Sequence, residues 1–191
     1  MKKNEFRPDK TGKGFLSRLH LTQQQRKTLL KWVMYAIFLI ATSILQDVIL
    51  ARIEIAGATT DLVPCAIVLI TLAEGAETGC VFALVSSLLY LFSGTAPGPY
   101  AMVFITFLAV VLTAFRQGYL QKSFGATMLC TAVAVVVYEL AIFAIGLFLR
   151  LTAMEYLNAF LLTAGFTLVL APLQYVLVRS ISKIGGQVWT E

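Results

Sequence analysis

Two acids set in apolar surroundings are the residues of this chain best placed to do chemistry: Asp47, in Leu45-Gln46-Asp47-Val48, and Glu139, in Val136-Val137-Tyr138-Glu139-Leu140. A charged carboxylate in the middle of a lipid-spanning helix costs about 3 kcal/mol even on lenient insertion scales. Glu139 is therefore expected to be neutral, or paired and turned toward protein. Its candidate partners are Tyr138 on the same helix and Gln174, Tyr90, Gln46 and Thr42 on others. Two roles stay open: a protonated acid hydrogen-bonding between helices, or a polar contact in a pocket or partner surface. If the first holds, Gln is tolerated at this position and Leu is not. Asp47 lies near the end of its apolar run, where headgroup water and Arg52 are within reach. An acid pair can carry proton chemistry only when other titratable groups relay with it. No buried Lys, Arg or His is expected beside these two, so catalysis and proton-coupled transport are both expected to lack relay groups.

The rest of the inventory excludes further reaction classes. The single histidine, His20, sits in the N-terminal segment, and there is no HExxH, no G-x-S-x-G, no phosphate-cradling glycine loop and no Cys/His cluster. Nucleophilic, metal and nucleotide chemistry lack their parts, and no cofactor is expected. Cys65, Cys80 and Cys130 fall in apolar stretches with no CxxC spacing, which reads as small packing residues.

The elements that would position these acids follow from hydropathy. The chain has 191 residues, 59% apolar and 13% charged, with a mean hydropathy of +0.83, too apolar for a wetted globule. Because about 20 helical residues cross a hydrocarbon core of about 30 Å, the apolar runs predict spans near 31–51, 60–74, 77–93, 99–115, 124–149 and 157–178. The fold class is thus all-α, a polytopic membrane bundle of about six transmembrane helices. The second span is short, so it must be inset, tilted or irregular at one end. Treating 60–93 as one broken hairpin gives a five-span alternative. The domain reading is a basic cytoplasmic tail at 1–28, a transmembrane domain at 29–180 and a cytoplasmic C-terminal tail at 181–191.

Nine of the fifteen Lys and Arg residues lie within the first 31 positions, beside only Glu5 and Asp9, while the remainder of the chain carries a net negative charge. Such a tail suits an anionic membrane surface rather than nucleic acid. Six crossings from a cytoplasmic N-terminus place Arg116, Lys122, Arg179 and Lys183 on the same side as the tail, leaving only Arg52 and Arg150 outside. Both termini are then cytoplasmic. Thr22-Gln23-Gln24-Gln25 fits a capping box that starts the first helix before the membrane, and Phe15, Leu16 and Leu19 can dip into the interface.

Gly75, Gly79 and Ala83 recur every four residues at the start of the third span, with Ser86 and Ser87 a turn later, a spacing that lets two helices approach closely. Gly94, Pro97, Gly98 and Pro99 predict a stiff external turn, with Tyr100 as an interfacial anchor.

The order of these features, over roughly residues 35–180, resembles the MreD family of bacterial rod-shape-determining membrane proteins. The resemblance rests on Gln46 ending the first helix, Asp61-Leu62 opening the second, Gly75 and Gly79 in Glu74-Gly75-Ala76-Glu77-Thr78-Gly79, and Gly94 before the fourth span. The chain departs from the family in having Thr60 where a Pro usually precedes Asp-Leu, and Tyr90 where an acid often follows Leu-Leu. The resemblance implies a non-enzymatic inner-membrane subunit of the cell-elongation machinery that regulates peptidoglycan synthesis. Its implied partners are an MreC-like single-span protein, a SEDS glycosyltransferase with a class B penicillin-binding protein, and the actin homologue MreB. MreD proteins are also similar in fold to the substrate-binding subunits of energy-coupling-factor vitamin transporters, which supplies the alternative function. Those subunits commonly carry small residues at four-residue spacing along the first helix, whereas Ala36 and Ala41 here are five apart. The residues expected to pack helices or meet partners are Gln46, Asp47, Asp61, Gly75, Gly79, Gly94 and Glu139.

Overall fold

The computed structural model describes residues 23–52, 57–119 and 123–185. The capping threonine Thr22, the apolar tail residues Phe15, Leu16 and Leu19, and the end of the C-terminal tail lie outside the described residues. Within them the chain is all-helical: α1 (Gln23–Ile44), α2 (Leu62–Glu74), α3 (Ala76–Phe92), α4 (Pro99–Tyr119), α5 (Phe124–Phe148) and α6 (Leu157–Ser182). Four of these are long and apolar enough to cross a membrane: α1 with its extension to Arg52, α4, α5, and α6 with the turn before it. The helix boundaries follow the apolar runs closely, except that α1 begins at Gln23, ahead of its apolar stretch.

The short α2 is the centre of the molecule. Every residue from Leu62 to Leu72 is buried, and the helix touches each of the other five. A helix that is apolar all round has no face for water and must lie against protein or lipid, and here protein covers it. Its 13 residues span only about 20 Å at the helical rise. Both of its ends lie within the helix bundle: Asp61 at its start meets Thr167, well inside α6, and Glu74 at its end meets Lys31, well inside α1. One flank of α2, with Val63, Ile67 and Leu72, packs into a cluster with Ile105, Ala134 and Tyr138. The opposite flank, with Cys65, Leu69 and Ile70, packs with Tyr35, Ala164 and Val178. Cys65 and Cys130 are buried and unbridged, as packing residues would be.

Between α2 and α3 the chain turns on one residue. Gly75 has φ 93° and ψ 175°, a backbone region open essentially to glycine alone. It is the junction, and not the first member of the small-residue stripe. That stripe begins at Gly79 and continues through Ala83, Ser86 and Ser87, all buried. At Gly79 a Cβ would lie 2.8 Å from the Thr71 carbonyl oxygen of α2, so the two helices are in backbone contact there. Gly79→Leu is accordingly expected to cost about 1–3 kcal/mol in thermal unfolding in detergent. Gly118→Leu, at a glycine with no atom within 4 Å of the added carbon, is the control. Equal melting temperatures for the two variants would show that the α2–α3 contact is not tight.

Gly94, at φ 79°, and Pro99, which opens α4, form the predicted turn. Tyr100 folds back on it, its hydroxyl donating to the Pro97 carbonyl at 3.0 Å.

Candidate functional site

An apolar helix buried at both ends must satisfy its terminal N–H and C=O groups with other parts of the protein. At the α2 N-terminus the residue in the cap position, Asp61, makes no side-chain cap. Gln46 takes that role from α1. The last turns of the first helical run widen into a π-helical turn over Leu45–Ile49, then tighten to a 3₁₀ turn over Leu50–Arg52. The widened turn carries Gln46 inward and buried, between exposed Leu45 and half-buried Asp47. Gln46 Oε1 accepts from Leu62 N at 2.7 Å and Val63 N at 3.0 Å. Pro64 follows and has no N–H to satisfy, so one glutamine serves the exposed donors of the first turn.

Freed from capping, Asp61 organises its neighbours. Gln46 Nε2 donates to Oδ1 at 3.2 Å, and the Tyr90 hydroxyl donates to Oδ1 and Oδ2 at 3.0 and 3.2 Å. The Asp61 backbone N–H donates to Thr167 Oγ1 at 3.0 Å, and Gln174 Nε2 donates to the Leu62 carbonyl at 3.2 Å. Helices α1, α3 and α6 are thereby tied to the start of α2, with the Asp61 carboxyl at the positive end of its dipole.

Beyond this clamp lies a cavity of about 290 Å³. Its polar wall includes Gln46, Asp61, Tyr90, Tyr138, Glu139 and Thr163, and its apolar wall includes Ile142 and Phe160. Tyr138 and Glu139 are 3% and 5% exposed. Tyr138 Oη, Glu139 Oε1 and Thr60 Oγ1 have no hydrogen-bond partner among the described residues.

The opposite end of α2 is fixed by charge. Lys31 Nζ and Glu74 Oε2 form a buried ion pair at 2.5 Å, and the Tyr35 hydroxyl donates to Glu74 Oε1 at 2.7 Å. Arg116 Nη1 donates to the Leu72 carbonyl at 2.6 Å, satisfying one of the last C=O groups of the helix. Both cations sit at the negative end of the α2 dipole.

Of the residues singled out in the sequence, Gln46, Asp61 and Glu139 meet around the cavity, Gly75 and Gly79 shape the α2–α3 junction, and Gly94 lies in the α3–α4 turn. Asp47 stays outside the clamp and makes no ion pair with Arg52. The expectation that Glu139 bonds to a neighbouring helix is corrected for Oε1: none of Tyr138, Gln174, Tyr90, Gln46 or Thr42 reaches it. Burying an unpaired oxygen costs about 1–3 kcal/mol, so Glu139→Leu is expected to raise the unfolding free energy by that much, while Glu139→Gln changes it little. Thermal unfolding in detergent checks this. Destabilisation by Leu would restore the interhelical hydrogen bond.

Lys31, 4% exposed, corrects the expectation of no buried base, and the roles of Thr167, Arg116, Tyr35 and Glu74 were not foreseen. A lysine entering an apolar run and a glutamate ending one, 43 positions apart, were the available signal. Among the described residues no cluster of His, Cys, Asp and Glu is arranged to hold a metal. Comparison with protein-family models, with curated proteins and with solved structures gave no match to this chain.

Proposed function

We propose that this protein is a non-enzymatic membrane subunit of a bacterial cell-elongation complex, of the MreD type, which acts by presenting surfaces to other proteins. In this reading all six helices lie in the inner membrane, the short α2 and α3 included, with both termini cytoplasmic and the Gln46 end outside. Lipid-buried helix faces and the external loops dock the transmembrane helix and juxtamembrane part of an MreC-type protein. Through it the protein regulates the SEDS glycosyltransferase and class B penicillin-binding protein, with MreB on the cytoplasmic side.

The observation that carries the reading is the meeting of Gln46, Asp61 and Leu62. Gln46 lies 15 positions before the adjacent Asp61-Leu62 pair, each belongs to the pattern on which the resemblance rests, and together they form one clamp. Their roles in it are capping and helix tethering, which serve a rigid scaffold rather than turnover. Large apolar side chains left exposed along α1, among them Ile37, Ile40 and Ile44, supply helix faces for lipid or a partner helix.

The test is co-expression with the MreC-type protein of the same genome. The two are expected to co-elute from detergent, and vitamins are expected to leave the melting temperature of this protein unchanged. A second reading, the substrate-binding subunit of an energy-coupling-factor transporter, draws on the cavity at the Gln46 end. Stabilisation by a vitamin at sub-micromolar concentration, without partner capture, would establish it in place of the first. Orientation is checked with single cysteines at Thr95 and Ser123, which are expected to label from the outside and the inside respectively.

A further inference from the structure

We propose that the cavity beside the α2 N-terminus is a binding site for a small organic ammonium ion, held by Glu139, Tyr138 and Asp61. The inference is independent of partner docking, because it concerns a site within the isolated subunit.

Three observations carry it. The first is size: about 290 Å³ lies near the lower bound of small-molecule sites, enough for a compact organic ion. The second is the chemistry of the wall. Two carboxyl groups line the cavity together with hydroxyls and an amide, and no Lys, Arg or His is among the lining residues. The third is the state of those groups. The Asp61 oxygens already accept from Tyr90 and Gln46. Glu139 Oε1 and Tyr138 Oη are buried and have no partner among the described residues. Proteins rarely leave such atoms unpaired, and the exceptions call for a specific cause.

The complement of this wall is a group that donates hydrogen bonds and carries positive charge. A primary ammonium has three donors and no acceptor, so it can serve the Glu139 carboxyl while its charge offsets the acids. An anionic ligand would meet two carboxyls with no base to receive it, and an apolar one would leave Glu139 unpaired. A quaternary ammonium has the charge but no N–H to donate. It is normally held by several aromatic faces, whereas Glu139 here requires a donor. The apolar wall of Ile142 and Phe160 suits a short hydrocarbon stem behind the charged head. Glu139 thus acquires a reason to be buried as an acid that helix packing does not provide.

The experiment uses the whole protein purified in detergent, with ethanolamine, n-propylamine and 1,4-diaminobutane as probes and tetramethylammonium at equal ionic strength as the control. At least one of the three amines is expected to give a saturable rise in melting temperature at or below about 10 mM, and tetramethylammonium none. Glu139→Gln keeps the size of the side chain and removes its charge, and is expected to weaken amine binding about tenfold or more. Tyr138→Phe is expected to weaken it several-fold, and carries the test by itself if the Gln variant does not fold. No saturable rise with any of the three amines overturns the proposal. So does an equal rise with tetramethylammonium, or undiminished binding in the folded variants. Loss of partner capture leaves this result untouched, so failure here is distinguishable from failure of the docking reading.

Discussion

Replacing Gln46 with alanine is expected to lower the unfolding free energy by about 3–5 kcal/mol, far more than an ordinary polar-to-alanine change on a helix. The magnitude follows from what the side chain leaves behind. Leu62 N and Val63 N are buried and donate to the same Gln46 oxygen, and each unpaired buried donor costs about 1–3 kcal/mol. Asp61 loses one of its donors in the same step. Gln46→Glu separates the two functions of the amide: its carboxylate still accepts from both N–H groups, but it no longer donates to Asp61 and brings a second acid beside it. That variant is expected to fall between wild type and alanine. Thermal unfolding in detergent measures all three, with exposed Val48→Ala as the reference on the same helical turn. A Gln46→Ala effect no larger than the reference would remove the capping role.

How much of this could be seen in the sequence differs by element. The helix ends at Phe92, Pro99, Phe124 and Phe148 were legible, because loss of apolar character and Gly/Pro punctuation mark them directly. The short run at 62–74 was legible as a helix but not as the core. Length argued that it crosses poorly, and uniform apolarity does not tell a helix enclosed by protein from one facing lipid, as the equally apolar but partly exposed α5 shows. Gln46 could be picked out as a polar partner for Glu139 or through family resemblance, but not as the cap of α2. Its inward orientation depends on a π-helical turn, a local change in backbone phase that side-chain periodicity does not encode.

The site shows the same division. Of the two acids on the cavity wall, Glu139 was visible as a carboxyl in apolar surroundings and Asp61 only through the family resemblance, and their different states were not visible. Asp61 is satisfied by Tyr90. A tyrosine there donates a hydrogen bond to Asp61, and an ionised acid would repel it. Glu139 lies one residue after Tyr138 on the same helix, yet neither satisfies the other. That is a matter of packing between α5 and its neighbours, which no single segment specifies.

The second large effect is expected at the other end of α2, where Lys31 and Glu74 are paired out of contact with water. Lys31→Met alone is expected to cost about 3–5 kcal/mol, because it strands the Glu74 carboxylate in a site built around a cation. Glu74→Leu alone strands Lys31 and also removes the acceptor of the Tyr35 hydroxyl. The double variant Lys31→Met/Glu74→Leu should recover most of the loss. Neither desolvated charge remains, and apolar replacements of similar volume commonly match or exceed a buried ion pair. What it cannot recover is the buried Tyr35 hydroxyl, worth about 1–3 kcal/mol when left without a partner. Adding Tyr35→Phe should return that part as well, so the triple variant is expected to be more stable than the double. Melting temperatures of the single, double and triple variants in one detergent form a complete cycle. If the single variants lose less than about 1 kcal/mol, the pair is effectively solvated and this end of α2 is not held by charge. If they lose the full amount and the triple recovers it, the pair is a matched buried ion pair that apolar packing can replace. Helix packing alone could then hold this end of α2 in place, and what the ion pair adds is the register of α1 against it, since apolar side chains in its place would leave sliding by a turn far less costly.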